Sequence, residues 1–424
     1  MVPRHARAAL VAWAFLMMPA LAGAQDQGAS GTAGDRSFTL RTSLKASALV
    51  SHAPDDPVLF PERDSATSFW RLRLEPAVHL GEGITVAAAY EQRLRVFSGS
   101  PGLAGLGVLP AETPAPYRVR QLDWQIAGSP RASWRHEIDR AYLGLHLGGA
   151  NVTVGRQAVG WGRGVLFGAV DLFSPFSPLE ADREWRRGVD AIRADIKLAD
   201  RVSFDAVGAF GESLDASVFA GRLRGYAGKA DVELVAGRRA RDLFSGVTSS
   251  AAVGDVEVHG ELAVFRAPDA LPAGGLGEDG RVVLKAVAGG SYRFPLGHGV
   301  LVYVEYHYSG FGAKHAADVL PLLADAAFRD RYLRGDTQIL GRHALAALAS
   351  YEFSPELAVS GLWLQSPVDG SGVAAPSATV TFSDRLSLVA TAYVPYGRPP
   401  HGLVLNSEYG AGALSGFLQV RMYR

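Results

Sequence analysis

Among the arginines that stand two residues apart are Arg71 with Arg73 and Arg93 with Arg95. In an extended chain that spacing puts both members of a pair on one face. Rigid guanidinium forks in such rows grip carboxylates and phosphates bidentately. Arg41, Arg140 and Arg193 extend the set, and Glu257, Glu261 and Glu305 place carboxylates on later segments. The chemistry these residues offer is recognition of charged or dipolar solutes. Bond-making motifs are missing: there is no Gly-x-Ser-x-Gly elbow, no His-Glu-x-x-His zinc helix and no phosphate-cradling loop ending in Gly-Lys. His259 lies between Glu257 and Glu261, which a hydrated ion pair explains more simply than acid-base catalysis. His52 with Asp55 and Asp56 reads as a solvated loop before it reads as a metal site. No catalytic residue, metal ligand or cofactor is assigned.

Bulk properties narrow the class. The 424 residues carry 42 basic and 42 acidic side chains, and 48% are apolar. Nucleic acid is an unsuitable partner for so balanced a chain. Lysine occurs only at 45, 197, 229, 285 and 314, so 37 of the 42 basic residues are arginine. Cysteine is absent, which excludes disulfide staples and thiolate chemistry. Arg4, His5 and Arg7 precede a short apolar core from Ala8 to Met18, and Ala22 to Ala24 fits a cleavage site. Residues 1–24 are therefore expected to be a signal peptide and 25–35 a flexible lead. No later apolar run is long enough for a membrane-spanning helix.

The elements that must position the arginines are strands. Trp70, Leu72, Leu74 and Val78 alternate with Arg71, Arg73, Glu75 and His79; Val86, Ala88, Tyr90, Leu94 and Val96 alternate with Glu91, Arg93 and Arg95. That period of two is a strand pattern. Eight tight turns interrupt the alternation, near residues 80–84, 147–151, 198–202, 228–231, 253–256, 296–300, 353–357 and 382–386. Longer, Pro- and Gly-rich connections lie between them, at about 51–66, 97–136, 157–188, 211–216, 238–244, 266–281, 309–341, 366–374 and 395–407. Short turns on one rim and long loops on the other mark an all-β, antiparallel, up-and-down transmembrane β-barrel over residues 36–424. Eight turns join sixteen strands; one strand before them and one after make eighteen. Sixteen in all is the alternative, because 209–226 is ambiguous. An even number puts both termini on the periplasmic side, with lipid of the outer membrane around the wall.

A barrel of this size is too wide for its own side chains to fill. With the first turn centred at Glu82, Arg73 opposes Glu91 and Arg71 opposes Arg93. Like charges across a ladder repel unless something intervenes. An arginine-rich wall facing carboxylates on later strands would set a transverse field and favour anions. Residues 157–188 are too aromatic for a solvated loop. Folded inward, they would form a constriction from Trp161, Phe167, Asp171, Phe173 and Phe176, with Trp161, Phe167, Phe173, Phe176 and Trp185 also available as a stacking track for sugar rings. Residues 313–334 have helical spacing and make a second constriction candidate.

Here the chain resembles large porin-like outer-membrane proteins. The resemblance rests on Asp139 to Leu145, Val154 to Gln157, Trp161 to Gly164, Asp171 to Pro175 and Gly188 to Arg193. The alginate-export and related porin families are the nearest comparison, over about residues 137–198. The resemblance implies an eighteen-stranded monomeric pore, sometimes with an arginine-rich lumen, and makes Arg156, Arg163 and Arg193 pore residues. At Trp161 to Gly164 this sequence departs from the Gly-Asp type of turn of alginate exporters. The expected function is a channel for small polar or anionic solutes, saccharides among them. The alternatives are a scaffold sheathing periplasmic export partners and an outer-membrane enzyme.

Overall fold

The computed structural model describes residues 36–98, 108–109, 115–276 and 278–424. The expected signal peptide and lead lie outside the described residues. Among the described residues there are nineteen strands: β1 (Arg36–His52), β2 (Asp64–Leu80), β3 (Ile84–Phe97), β4 (Asp123–Ser129), β5 (Ala132–Leu147), β6 (Ala150–Gln157), β7 (Val189–Ala199), β8 (Val202–Ala209), β9 (Val218–Ala227), β10 (Ala230–Arg239), β11 (Asp242–Val253), β12 (Val256–Arg266), β13 (Val282–Phe294), β14 (Val300–Ser309), β15 (His343–Ser354), β16 (Leu357–Gln365), β17 (Gly372–Ser383), β18 (Leu386–Tyr396) and β19 (Leu414–Tyr423). All eight turns read from the sequence join the strands expected of them. At the first, Gly81 adopts φ +63°, a left-handed conformation that a β-carbon would strain.

Neighbours in the sheet are antiparallel, and β1 pairs with β19 to close it. β3 pairs directly with β5, while β4 pairs with β5 alone. Setting β4 aside leaves eighteen staves, as the turn pattern predicts. The sixteen-strand alternative fails because residues 218–227 form β9, which has full ladders to β8 and β10. One loop needs correction. Within 97–136, β4 and the first residues of β5 form a hairpin that prolongs the wall above the short β6. Trp124 and Ile126 do alternate with Asp123 and Gln125, but the run is short and lies inside a long Pro- and Gly-rich connection, which masks it. The helical spacing at 313–334 is real: α1 (Val319–Ala324) and α2 (Ala326–Arg334) occupy the outer connection between β14 and β15.

Outward positions are apolar and uncovered. Leu40, Val86, Leu143, Ile192, Leu234, Val258, Leu262, Val304 and Leu418 are all exposed on the outer surface. Inside, the wall is of two kinds. Strands β1 to β3 and β5 turn Lys45, Arg71, Arg73, Glu91, Arg93 and Glu137 inward, all buried. Strands β8 to β16 instead turn Val207, Val218, Val235, Phe244, Phe265, Val283, Val287, Ala346 and Leu364 inward, buried in one large apolar cluster. A uniformly wet interior is thus not what the chain builds; half of the inner wall is greasy where a loop covers it.

Candidate functional site

The covering loop is 158–188. It leaves β6, presses its first half against β8 to β14, and returns past β1 and β2 to enter β7. Trp161 Nε1 donates to Asp205 on β8 at 3.1 Å. Its tip is held by two wall carboxylates. Glu261 accepts backbone N–H groups from Arg163, Gly164 (2.9 Å), Ala169 (2.6 Å) and Val170 (3.2 Å). Glu305 accepts those of Val165 (2.5 Å), Leu166 (3.0 Å) and Phe167 (3.1 Å), and pairs with His259 Nε2 at 3.1 Å. Charged acceptors make hydrogen bonds roughly twice as strong as neutral ones. Gly162 is required for this approach: it has φ +110°, and a β-carbon there would lie 2.7 Å from the Glu261 carboxylate.

Around the tip, Trp161, Leu166, Phe167, Val170, Leu172 and Phe173 pack on the greasy half of the wall. Trp161 meets Phe173 edge-on at 5.2 Å, and Phe167 stacks on His307 at 4.7 Å. Arg186 ties the two arms of the loop together through Asp171 at 2.6 Å. Burial pushes the Asp171 carboxyl up, against the pull of Arg186. Burial also pushes Glu180, on the returning arm, up to about 7.

The arginine rows face each other in the expected register, Arg71 opposite Arg93 and Arg73 opposite Glu91. What intervenes between them is carboxylate, not a solute. Arg71 binds Glu91 at 2.9 and 3.1 Å. Arg73 binds Glu91, Glu75 and Asp139, the last two at 3.1 and 2.9 Å. Arg93 takes Asp123 and Glu137; Arg118, from the loop before β4, takes Glu137 and Asp139. Arg156 is paired with Asp190 at 2.7 Å and Arg140 with Asp139 at 2.7 Å, while Arg95 lies over the Phe69 ring at 4.6 Å.

A second basic group is more open to solvent. Arg163 reaches Asp231 and Glu233 on β10, Arg193 and Arg222 share Asp205, and Arg224 reaches Glu233. Here four guanidinium groups meet three carboxylates. The side chains of Arg163, Arg193 and Arg224 keep 27–35% of their surface exposed.

Thus the structure gathers Arg71, Arg73, Arg93, Arg95, Arg140 and Arg156 on one wall but buries most of them. Arg163 and Arg193 stand in the open group, and Arg41 and Glu257 are exposed nearer the periplasmic rim. Glu261 and Glu305 are 4% and 0% exposed and serve as anchors for the loop, not as open lining. Trp161, Phe167, Asp171 and Phe173 are buried and Phe176 half-buried. The loop lies against the inner wall, and Trp161, Phe167 and Phe173 are packed into that contact. Sequence reasoning missed Glu137, Asp139 and Arg118. A bulge where Ala89 meets β5 shifts the pairing by one residue and turns both carboxylates inward, and Arg118 lies in a loop with no period to read. Among the described residues no group of three or more metal-ligating side chains converges.

No protein-family model and no curated protein matches the sequence. Solved structures do match. Acinetobacter baumannii OccAB1 has 10% identity and a TM-score of 0.56, covering 95% of this chain and 99% of that one. Pseudomonas aeruginosa OccK7 (OpdD) has 10% identity and a TM-score of 0.53, covering 91% and 98%. Pseudomonas aeruginosa OpdK, solved with vanillate, has 9% identity and a TM-score of 0.50 over the same shares. The chain therefore has the closed, eighteen-stranded barrel fold of outer-membrane porins of the Occ type.

Proposed function

We propose that this protein is an outer-membrane channel of narrow bore that passes small polar solutes, with a preference for anions. One observation carries the reading: loop 158–188 is seated inside the barrel, fastened by Glu261 and Glu305, with its Arg163 beside the partly exposed Arg193 of β7 and Arg224 of β9. A loop so placed narrows the passage, and the guanidinium groups of Arg163, Arg193 and Arg224, which stay partly exposed after pairing, bias it. That OpdK was solved with the carboxylate vanillate agrees with such a solute class. The exposed apolar belt supports burial in outer-membrane lipid, reached after cleavage of the expected signal peptide. Export of a polysaccharide such as alginate, and sheathing of a periplasmic export partner, both need a clear bore, which the seated loop opposes.

Planar-bilayer recordings test the proposal. In a salt gradient the reversal potential should show anion preference, and Arg193→Gln with Arg224→Gln should carry it toward zero. A closed barrel without current, or selectivity untouched by these changes, would overturn it.

A further inference from the structure

Every pair of neighbouring staves but one is joined by its own connection; β1 and β19 meet only because the sheet closes. Their ladder runs ten residue pairs, from Ser43–Tyr423 to His52–Leu414, against seventeen for β1 and β2. Two neutral contacts cross its inner face, Gln419 to Ser47 at 3.0 Å and Ser51 to Ser415 at 2.8 Å.

The returning arm of loop 158–188 lies on this seam. Lys45 of β1 donates to both oxygens of Asp182, at 2.7 and 2.8 Å, and sits 2.6 Å from Glu184 Oε2. The Tyr423 hydroxyl of β19 donates to that same Glu184 oxygen at 2.6 Å. Lys45 is 1% exposed and Asp182 4%. Trp185, next in the chain, lies 3.7 Å from Lys45 Nζ and 4.7 Å from the Arg71 guanidinium on β2. One loop oxygen thus bridges the first strand and the last, with a cation and a ring holding it in place.

We propose that the returning arm is an internal staple across the closing seam, with Glu184 tying β1 to β19. Seating the loop and locking the seam are then one event. Nothing in the inference depends on which solute the pore passes, or on whether it conducts.

Hydrogen exchange on the refolded full-length chain tests it. In Asp182→Ala/Glu184→Ala, amides of residues 43–51 and 415–423 should exchange about tenfold faster, while those of β11 and β12 keep their rates. A disulfide between Ser47→Cys and Gln419→Cys, which are direct partners in a chain with no other cysteine, should restore the slow exchange. Seam amides that keep wild-type rates would overturn the staple. So would a speeding of β11 and β12 to the same degree, since that marks general loosening. Where the double variant fails to refold, Tyr423→Phe removes one hydroxyl only; faster seam exchange supports the staple and unchanged exchange refutes it.

Discussion

Glu305 has no exposed surface, yet it sits where a charge should be costly. It is tolerated because three backbone N–H groups and His259 surround it. The dependence runs both ways. Glu305→Ala leaves three donors at the loop tip without an acceptor, a loss on the order of 3 kcal/mol or more. We expect the tip to leave the wall and single-channel conductance to rise; unchanged conductance would mean that the remaining contacts suffice. Glu180 gives a second residue-scale test. Its carboxyl, pushed up to about 7 by burial, is neutral below that pH and negative above it. Anion preference should therefore weaken as pH rises from about 6 to 8, and Glu180→Gln should flatten that dependence in reversal-potential measurements.

At the level of elements, the β4–β5 hairpin stands apart. β4 pairs with β5 alone, while β3 and β6 hold the rest of β5 in the barrel. Deleting 121–131 should leave a barrel that still runs as a compact, heat-modifiable band in detergent electrophoresis; loss of that band would show that the hairpin is needed for folding. Strands that do belong to the wall were legible because a half-buried strand must alternate. That rule predicted the facing pairs of β2 and β3 and the turns at all eight hairpins. It failed at β5, where a single bulged residue reverses the faces of Glu137 and Asp139. It also gave no sign of Arg118, Asp182 or Glu184, because loops have no period and their partners lie far away in sequence.

Over the whole molecule, composition hid how the charges are spent. An excess of arginine over lysine looked like a basic lumen, yet Arg71, Arg73, Arg93, Arg135 and Arg140 are each held by a carboxylate. The partly exposed group of Arg163, Arg193 and Arg224 is what the proposed selectivity rests on. Phe244, Phe265, Val283 and Val287 make the inner half apolar, but apolar residues on an inward face give no sign of it until the covering loop is seen against them. That arrangement has a practical consequence. Excising 158–188 to widen the bore would strip the cover from those residues and leave an oily lining in contact with water. Such a variant would soak up detergent and apolar dyes, and its current would report a fouled conduit instead of a larger one.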